Sequence, residues 1–282
     1  MLIGKDGKLN LPEEQRRRWS LVPGEEFFIR ETPEGLLVQP ADPPLSKVYV
    51  EPTTDCNLNC RICMRNSWEE PAGRMKMATY RHLVEGLSEI PSLKTVAFWG
   101  FGEPLLHPNL VEMIQSAKAL GVKTELITNG LLLNRKIAEE LVMADLDTLV
   151  VSIDGVSPES YGNIRSGADI RMVQDNIKAL KAVRWANSRR IPEIGLEFVL
   201  MRSNLSELPK LPGLAFQMGA SFIIVTNMLP YTEELKEEIL YWLSATGWQP
   251  HVRSKWFPEI LIPRMDARNE YLDPLVRLMR GV

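Results

Sequence analysis

The chain has 282 residues, 45% of them hydrophobic and 24% charged, with a formal charge of −3, a profile that excludes bulk disorder and gives no general reason to expect nucleic acid. No apolar run approaches the roughly 18 residues of a membrane span, and the opening MLIGKDGKLN lacks the uninterrupted apolar core of a signal peptide. A soluble protein of the reducing cytoplasm, with no membrane contact, is therefore expected.

The style of the sequence changes near residue 42. Before it, β-like runs over Glu26 to Glu31 and Gly35 to Gln39 flank a turn at Thr32 to Gly35, and LPEEQRRRWS precedes them. The run Arg16, Arg17, Arg18 reads as a solvated helix face. PADPPLS is a proline-rich linker. After it, β-type runs alternate with amphipathic helical segments. The runs are Lys47 to Pro52, Thr95 to Trp99, Lys123 to Thr128, Thr148 to Ile153, Gly195 to Met201 and Phe222 to Thr226. The helical segments include ATYRHLVEGLSEI, LVEMIQSAKALG, NRKIAEELVMA, MVQDNIKALKAVRWANS and EELKEEILYWLSATG. Strand then helix, repeated in this way, predicts parallel strands with right-handed crossovers, an α/β partial (β/α)6 TIM-like barrel. The expected domains are 1–42, a small β-rich piece; 43–248, the barrel; and 249–282, a C-terminal segment.

Nearly every run is apolar and then ends in a small polar cluster: EPTTDCNLNC, WGFGEP, ITNG, SIDG, LMRSN and VTNM. In a β/α barrel these C-terminal strand ends share the rim where ligands bind. One such cluster is an ordinary loop; six in succession suggest a ring of ligand contacts, with Met201 and Asn227 supplied by the last two.

All three cysteines, Cys56, Cys60 and Cys63, lie within eight positions after the first barrel strand. A chain this long needs no disulfide, and three is an odd number, so the thiols look like ligands. Cys thiolates are the usual ligands of an iron–sulfur cubane, and three from one loop hold three corners while the last iron stays open. A thioredoxin-like Cys60-Arg61-Ile62-Cys63 pair, or a zinc site completed by one of the three His residues, is the competing reading. His107 reads equally as a helix-entry residue or a substrate contact, and His82 and His251 as ordinary surface or core positions. Trp99 reads as barrel core. Gly100-Phe101-Gly102 alone is a weak nucleotide motif.

The C-x3-C-x2-C spacing after the first strand resembles the signature of the radical S-adenosylmethionine (SAM) superfamily. That resemblance implies a [4Fe-4S] cluster on Cys56, Cys60 and Cys63 whose open iron is chelated by SAM. An electron from the cluster then cleaves SAM to methionine and a 5′-deoxyadenosyl radical. A low-potential donor, ferredoxin or flavodoxin, is the implied partner. GFGEP, Gly100, Phe101, Gly102, Glu103 and Pro104, resembles the family segment that meets the SAM ammonium. Thr128 and Asn129, and Ser152 with Asp154, stand where the family contacts the carboxylate and ribose, and Arg165 resembles the Arg that pairs with the SAM carboxylate. Ile62 takes the slot often filled by an aromatic that packs on adenine.

VYVEPTTDCNLNCRICMRNSWEEP, GFGEPLLHP and TNMLPYTEE further resemble maturases of tungsten-dependent, aldehyde-oxidising ferredoxin oxidoreductases, which implies such an oxidoreductase or its pterin cofactor as the target. Arg61, Arg65, Arg74 and Lys76 are the cations near the cluster loop that would meet the phosphates of a pterin cofactor. Those maturases carry a Cys-rich extension, whereas no Cys follows residue 63; either the extension is missing or one cluster suffices. A peptide-modifying radical SAM enzyme is the alternative, and a dimeric SAM- or redox-sensing regulator a third. The first forty residues resemble the swapped-hairpin AbrB/SpoVT fold of dimeric, often DNA-binding regulators. Residues 1–42 nevertheless hold six Lys/Arg against eight Asp/Glu, a local charge of −2 that argues against DNA. An accessory domain for dimerisation or for gripping a protein partner is expected.

Overall fold

The computed structural model describes residues 45–240 throughout, together with 2–3, 9–10, 12–14, 27–33, 35–40, 251–252 and 259–261. Arg16, Arg17 and Arg18 lie outside the described residues. The chain divides into two compact units, Met1–Leu45 and Ser46–Val282.

In the first unit β1 (Leu2–Ile3) runs antiparallel to β2 (Leu9–Asn10), and β3 (Phe27–Thr32) antiparallel to β4 (Gly35–Pro40). Thr32 pairs with Gly35 at the end of this ladder. The Thr32 hydroxyl donates to the Gly35 carbonyl at 2.9 Å.

The second unit is built on six parallel strands in sequence order: β5 (Lys47–Val50), β6 (Thr95–Phe98), β7 (Lys123–Thr128), β8 (Thr148–Ser152), β9 (Glu193–Leu200) and β10 (Phe222–Asn227). This is the expected partial barrel. Two short strands that the sequence reading left out extend the sheet beyond β10: β12 (Glu259–Leu261) pairs parallel with β10, and β11 (His251–Val252) antiparallel with β12.

The crossovers are α1 (Met77–Ser88), α2 (Leu110–Lys118), α3 (Arg135–Met143), α4 (Pro158–Ile164), α5 (Ile170–Ala186) and α6 (Leu211–Met218), followed after β10 by α7 (Glu233–Lys236). Local chemistry sets their ends. Asn134 accepts from the Ile137 N–H at 3.0 Å, and Ser157 accepts from the Ser160 N–H with Pro158 opening the helix, so free first-turn donors are satisfied. Gly219 closes α6 in the left-handed region.

The helix expected over EELKEEILYWLSATG is helical only over Glu233–Lys236, and its part from Tyr241 onward lies outside the described residues. Tertiary bonds override the pattern: the Glu238 carbonyl accepts from the Arg202 N–H at 3.1 Å, and its carboxylate accepts from the Ser203 N–H at 2.9 Å and pairs with Arg61.

Strand alternation sorts the side chains into two faces. Val50, Val96, Phe98, Leu126, Leu149, Val151, Ile194, Leu196, Phe198, Ile223 and Val225 are buried in the core under the helices, each worth about 1.5–3 kcal/mol if large and fully buried. The alternate set, Tyr49, Glu51, Trp99, Ile127, Ser152, Glu197, Val199 and Thr226, faces a cavity. Trp99, expected in the core, is 41% exposed, because it belongs to this inner face.

Candidate functional site

The loop after β5 is held as a stem before the cysteines begin. Thr53 and Arg74 form an isolated antiparallel bridge, the Thr54 N–H donates to the Gly73 carbonyl at 2.9 Å, and the Met75 N–H donates to the Pro52 carbonyl at 2.8 Å. Beyond the stem, the Cys63 N–H donates to the Cys60 carbonyl at 3.0 Å, turning the chain back on itself. The Arg61 N–H donates to the Ile164 carbonyl at 2.9 Å, and Asn66 Nδ2 to the Cys60 carbonyl at 2.9 Å. The thiol loop is thus tied to the end of α4.

The GFGEP loop packs directly on this stem. The Glu103 N–H donates to the Asp55 carbonyl at 2.7 Å, and the Phe101 and Gly102 N–H groups donate to the Glu51 carboxylate. A Cβ on Gly102 would fall inside the envelope of the Thr53 carbonyl oxygen, whereas one on Gly73 would meet nothing within 4 Å. Gly102→Ala is therefore expected to destabilise by about 1–3 kcal/mol, as overpacking does. Gly73→Ala should stay within about 0.5 kcal/mol. Denaturant unfolding of the two variants checks the difference.

A cavity of about 520 Å³ opens inside this rim, in the size range of small-molecule sites. Cys56, Cys60, Cys63, Ile62, Gly100, Phe101, Gly102, Glu103, Thr128, Asn129, Ser152, Asp154, Arg165 and Asn227 all line it. Two of the sixteen expected residues do not. Pro104, itself buried, opens a 3₁₀ turn after the loop, and Met201 packs in an apolar cluster with Ile164, Met228 and Leu235. Ile62 packs against that same cluster and also faces the cavity.

The charged groups are fixed by their neighbours. Glu103 is 2% exposed. One carboxylate oxygen accepts from Thr128 Oγ1 at 2.6 Å and the Leu105 N–H at 3.1 Å, and the other from the Asn129 N–H at 2.8 Å. Burial nevertheless holds its carboxyl above the usual carboxylate range, against the pull of these bonds. Asp154 is fully buried and pairs with Arg165 at 2.7 Å, and it accepts from the Val199 N–H at 3.0 Å. Burial works against the Arg165 charge, but Asp154, followed by Cys60, Tyr161 and Glu197, raises its pKa above the ordinary value. Arg165 stays a cation.

Burial pushes the Cys60 thiol up to about 11, with Arg165 opposing, and raises Cys56 as well. Asn129 Nδ2 lies 3.9 Å from the Cys56 sulfur and donates to Asn57 Oδ1 at 2.8 Å. All three cysteines are free and half-buried. They line the cavity together, and among the described residues no group of three or more His, Cys, Asp or Glu side chains has the spacing of a one-ion site. No described imidazole completes a zinc set either: His107 Nδ1 accepts from the Asn109 N–H at 3.2 Å, its Nε2 lies 3.0 Å from the Met75 carbonyl, and His82 is exposed beside Glu85. His107 is a helix-entry residue. A donor set of three thiols fits a polynuclear cluster with an open corner. The fit extends to a polar ligand, since Arg165 Nε is buried without a hydrogen-bond partner.

Three contributors escaped the sequence reading. Glu51 holds the GFG backbone. Asn204 is fully buried, donates to the Asp154 and Val199 carbonyls at 3.0 and 2.9 Å, and accepts from the Met201 N–H at 2.8 Å. Glu197 lines the lumen and accepts from Ser152 Oγ at 3.1 Å. The signal for Glu197 is a carboxylate between two apolar residues, Leu196 and Phe198, in the interior of a strand.

The sequence profile of the Radical SAM superfamily matches residues 50–209, and the chain belongs to that family. Its enzymes use a [4Fe-4S] cluster and SAM. The chain is 31% identical over 195 residues to the tungsten-containing aldehyde ferredoxin oxidoreductase cofactor-modifying protein of Pyrococcus furiosus, covering 69% of this chain and 54% of that protein. It is 32% identical over 198 residues to the PqqA peptide cyclase of Gluconobacter oxydans, covering 69% and 52%. In fold it resembles Streptococcus suis SuiB, solved with S-adenosylmethionine, with a TM-score of 0.58 at 16% identity over 70% of this chain and 44% of that one. The chain spans about half the length of the curated relatives it matches. No described helix is long and apolar enough to cross a membrane.

Proposed function

We propose that the cavity binds SAM beside a [4Fe-4S] cluster held by Cys56, Cys60 and Cys63. The observation that carries this reading is the meeting of three free thiols, the Glu103 carboxylate and the Asp154–Arg165 pair around one cavity. When bound, the reduced cluster supplies the electron that cleaves SAM to methionine and a 5′-deoxyadenosyl radical. Glu103 offers a fixed negative charge for the ammonium of SAM. Arg165, oriented by Asp154, offers a guanidinium for its carboxylate. Thr128, Asn129, Ser152 and Asn227 supply hydrogen-bonding groups along the rim, and Ile62 an apolar surface. The electron comes from a low-potential donor such as ferredoxin or flavodoxin.

The job we assign is maturation of a tungsten-dependent oxidoreductase or of its pterin cofactor. Its support is the likeness to the Pyrococcus furiosus cofactor-modifying protein together with the segments GFGEPLLHP and TNMLPYTEE. The AbrB/SpoVT-like residues 1–42 would serve dimerisation or partner binding, their acidic balance disfavouring DNA. Peptide modification is the second reading, favoured by the charges: Arg61 pairs with Glu238 and Arg74 with Asp55, so of the four cations expected to meet phosphates only Arg65 lines the cavity. Co-expressing a tungsten oxidoreductase with the wild-type gene and with Cys60→Ala tests the first reading. Active oxidoreductase with the wild type and inactive polypeptide with the variant is expected; equal activity and identical cofactor mass in both would remove it.

A further inference from the structure

Four carboxylates line the cavity: Glu51, Glu103, Asp154 and Glu197. Three are spoken for. Glu51 accepts backbone N–H groups of the GFG loop, Glu103 accepts three hydrogen bonds, and Asp154 is paired with Arg165. Among the described residues the Glu197 carboxylate accepts one hydrogen bond, from the Ser152 hydroxyl, and has no ion-pair partner.

Its surroundings work against its charge. Burial, and after it the nearby Asp154, hold the Glu197 carboxyl above the ordinary range, with Ser152 and Arg165 opposing. A carboxylate kept inside a strand whose neighbours are apolar is costly unless a donor meets it. Glu197 stands in register with Ser152 on one side and Ile224 on the other, one inward-facing position deeper than Val199, whose N–H meets Asp154.

The β5–β6 side of the same cavity is aromatic. Tyr49, Trp99 and Phe101 are 56%, 41% and 41% exposed. Tyr49 meets Trp99 edge-on at 5.4 Å, and Phe101 meets Trp68 at 5.1 Å. Such faces take planar groups, guanidinium or heterocycle, better than hydrated anions.

We propose that Glu197 is a substrate-binding residue of the lumen, and that its partner is a planar N–H donor group on the substrate: a guanidinium side chain or the amino-amide edge of a flat heterocycle. This deepens the proposed function and rests on the reading of the rim as the SAM site. A guanidinium would come from a peptide, the amino-amide edge from a pterin- or guanine-like ring.

The test uses the reconstituted full chain saturated with SAM, titrated in a calorimeter with N-acetyl-arginine amide, guanosine, and N-acetyl-glutamate amide as the acidic control. At least one of the first two is expected to bind, the control is not, and the one that binds identifies the source. Glu197→Gln should weaken that probe about tenfold or more, the loss of one charge-assisted hydrogen bond, while weakening SAM far less. Should that variant not fold, Glu197→Asp, which draws the charge back by one methylene, should show the same preferential loss. Binding of neither probe, binding indifferent to position 197, or an equal loss for SAM would overturn the proposal. No oxidoreductase takes part, so failure here leaves the maturation reading standing.

Discussion

Anaerobic reconstitution of the wild-type chain is expected to yield about four irons and four sulfides per chain, and replacing Cys56, Cys60 or Cys63 singly by Ala should abolish them. The reason lies in the donor count. Every cysteine of the chain stands in that one loop, and no described imidazole lies beside the thiols to substitute. A cluster corner left without its thiolate has no spare cysteine to take it. The loop itself should survive the substitutions, because the stem bonds of Thr54 to Gly73 and Met75 to Pro52 run through backbone groups.

The raised thiols set the pH dependence. Cys60, pushed up to about 11 by burial, carries its proton at neutral pH and must release it to bind metal. Assembly should therefore become more favourable as pH rises towards that value and less favourable as it falls. Iron and sulfide analysis with the visible spectrum of each variant measures the outcome. Unchanged iron content in all three single variants would end the cluster assignment.

How far the sequence carries depends on whether a signal is local. The six parallel strands were legible because an apolar run followed by a polar cluster repeats along the chain, and the cysteine spacing is local too. The β9 expectation over Gly195 to Met201 missed the two leading residues, Glu193 and Ile194. Met201 reads as a ligand contact because it follows an apolar run; its backbone turns on Asn204, and its side chain goes to the apolar cluster instead. Asn204 and Glu51 act on residues about 50 positions away, and no period within one segment reports such pairings. The short α7 shows the same limit: its pattern is helical over a longer stretch, but bonds to Arg61, Arg202 and Ser203 decide where it stops.

Arg165→Gln should weaken SAM binding by roughly ten- to a hundredfold, the worth of one hydrogen bond to a charged group. The same change strips buried Asp154 of its ion-pair partner, and breaking a buried pair costs about 3–5 kcal/mol of stability. A loss of binding in that variant alone would thus mix two causes. Asp154→Asn/Arg165→Gln separates them, because it replaces the charged pair by two neutral amide side chains. Stability should recover relative to either single variant, since neither partner is then a lone buried charge, while SAM affinity should stay low, since the guanidinium is absent. Calorimetric titration of SAM into the reconstituted proteins, beside denaturant unfolding of each, reads the two quantities independently. A double variant that binds SAM as the wild type does would reduce Arg165 to a counterion for Asp154 and leave the SAM carboxylate to other groups of the rim, with Asn129, Ser152 and Asn227 the next to test.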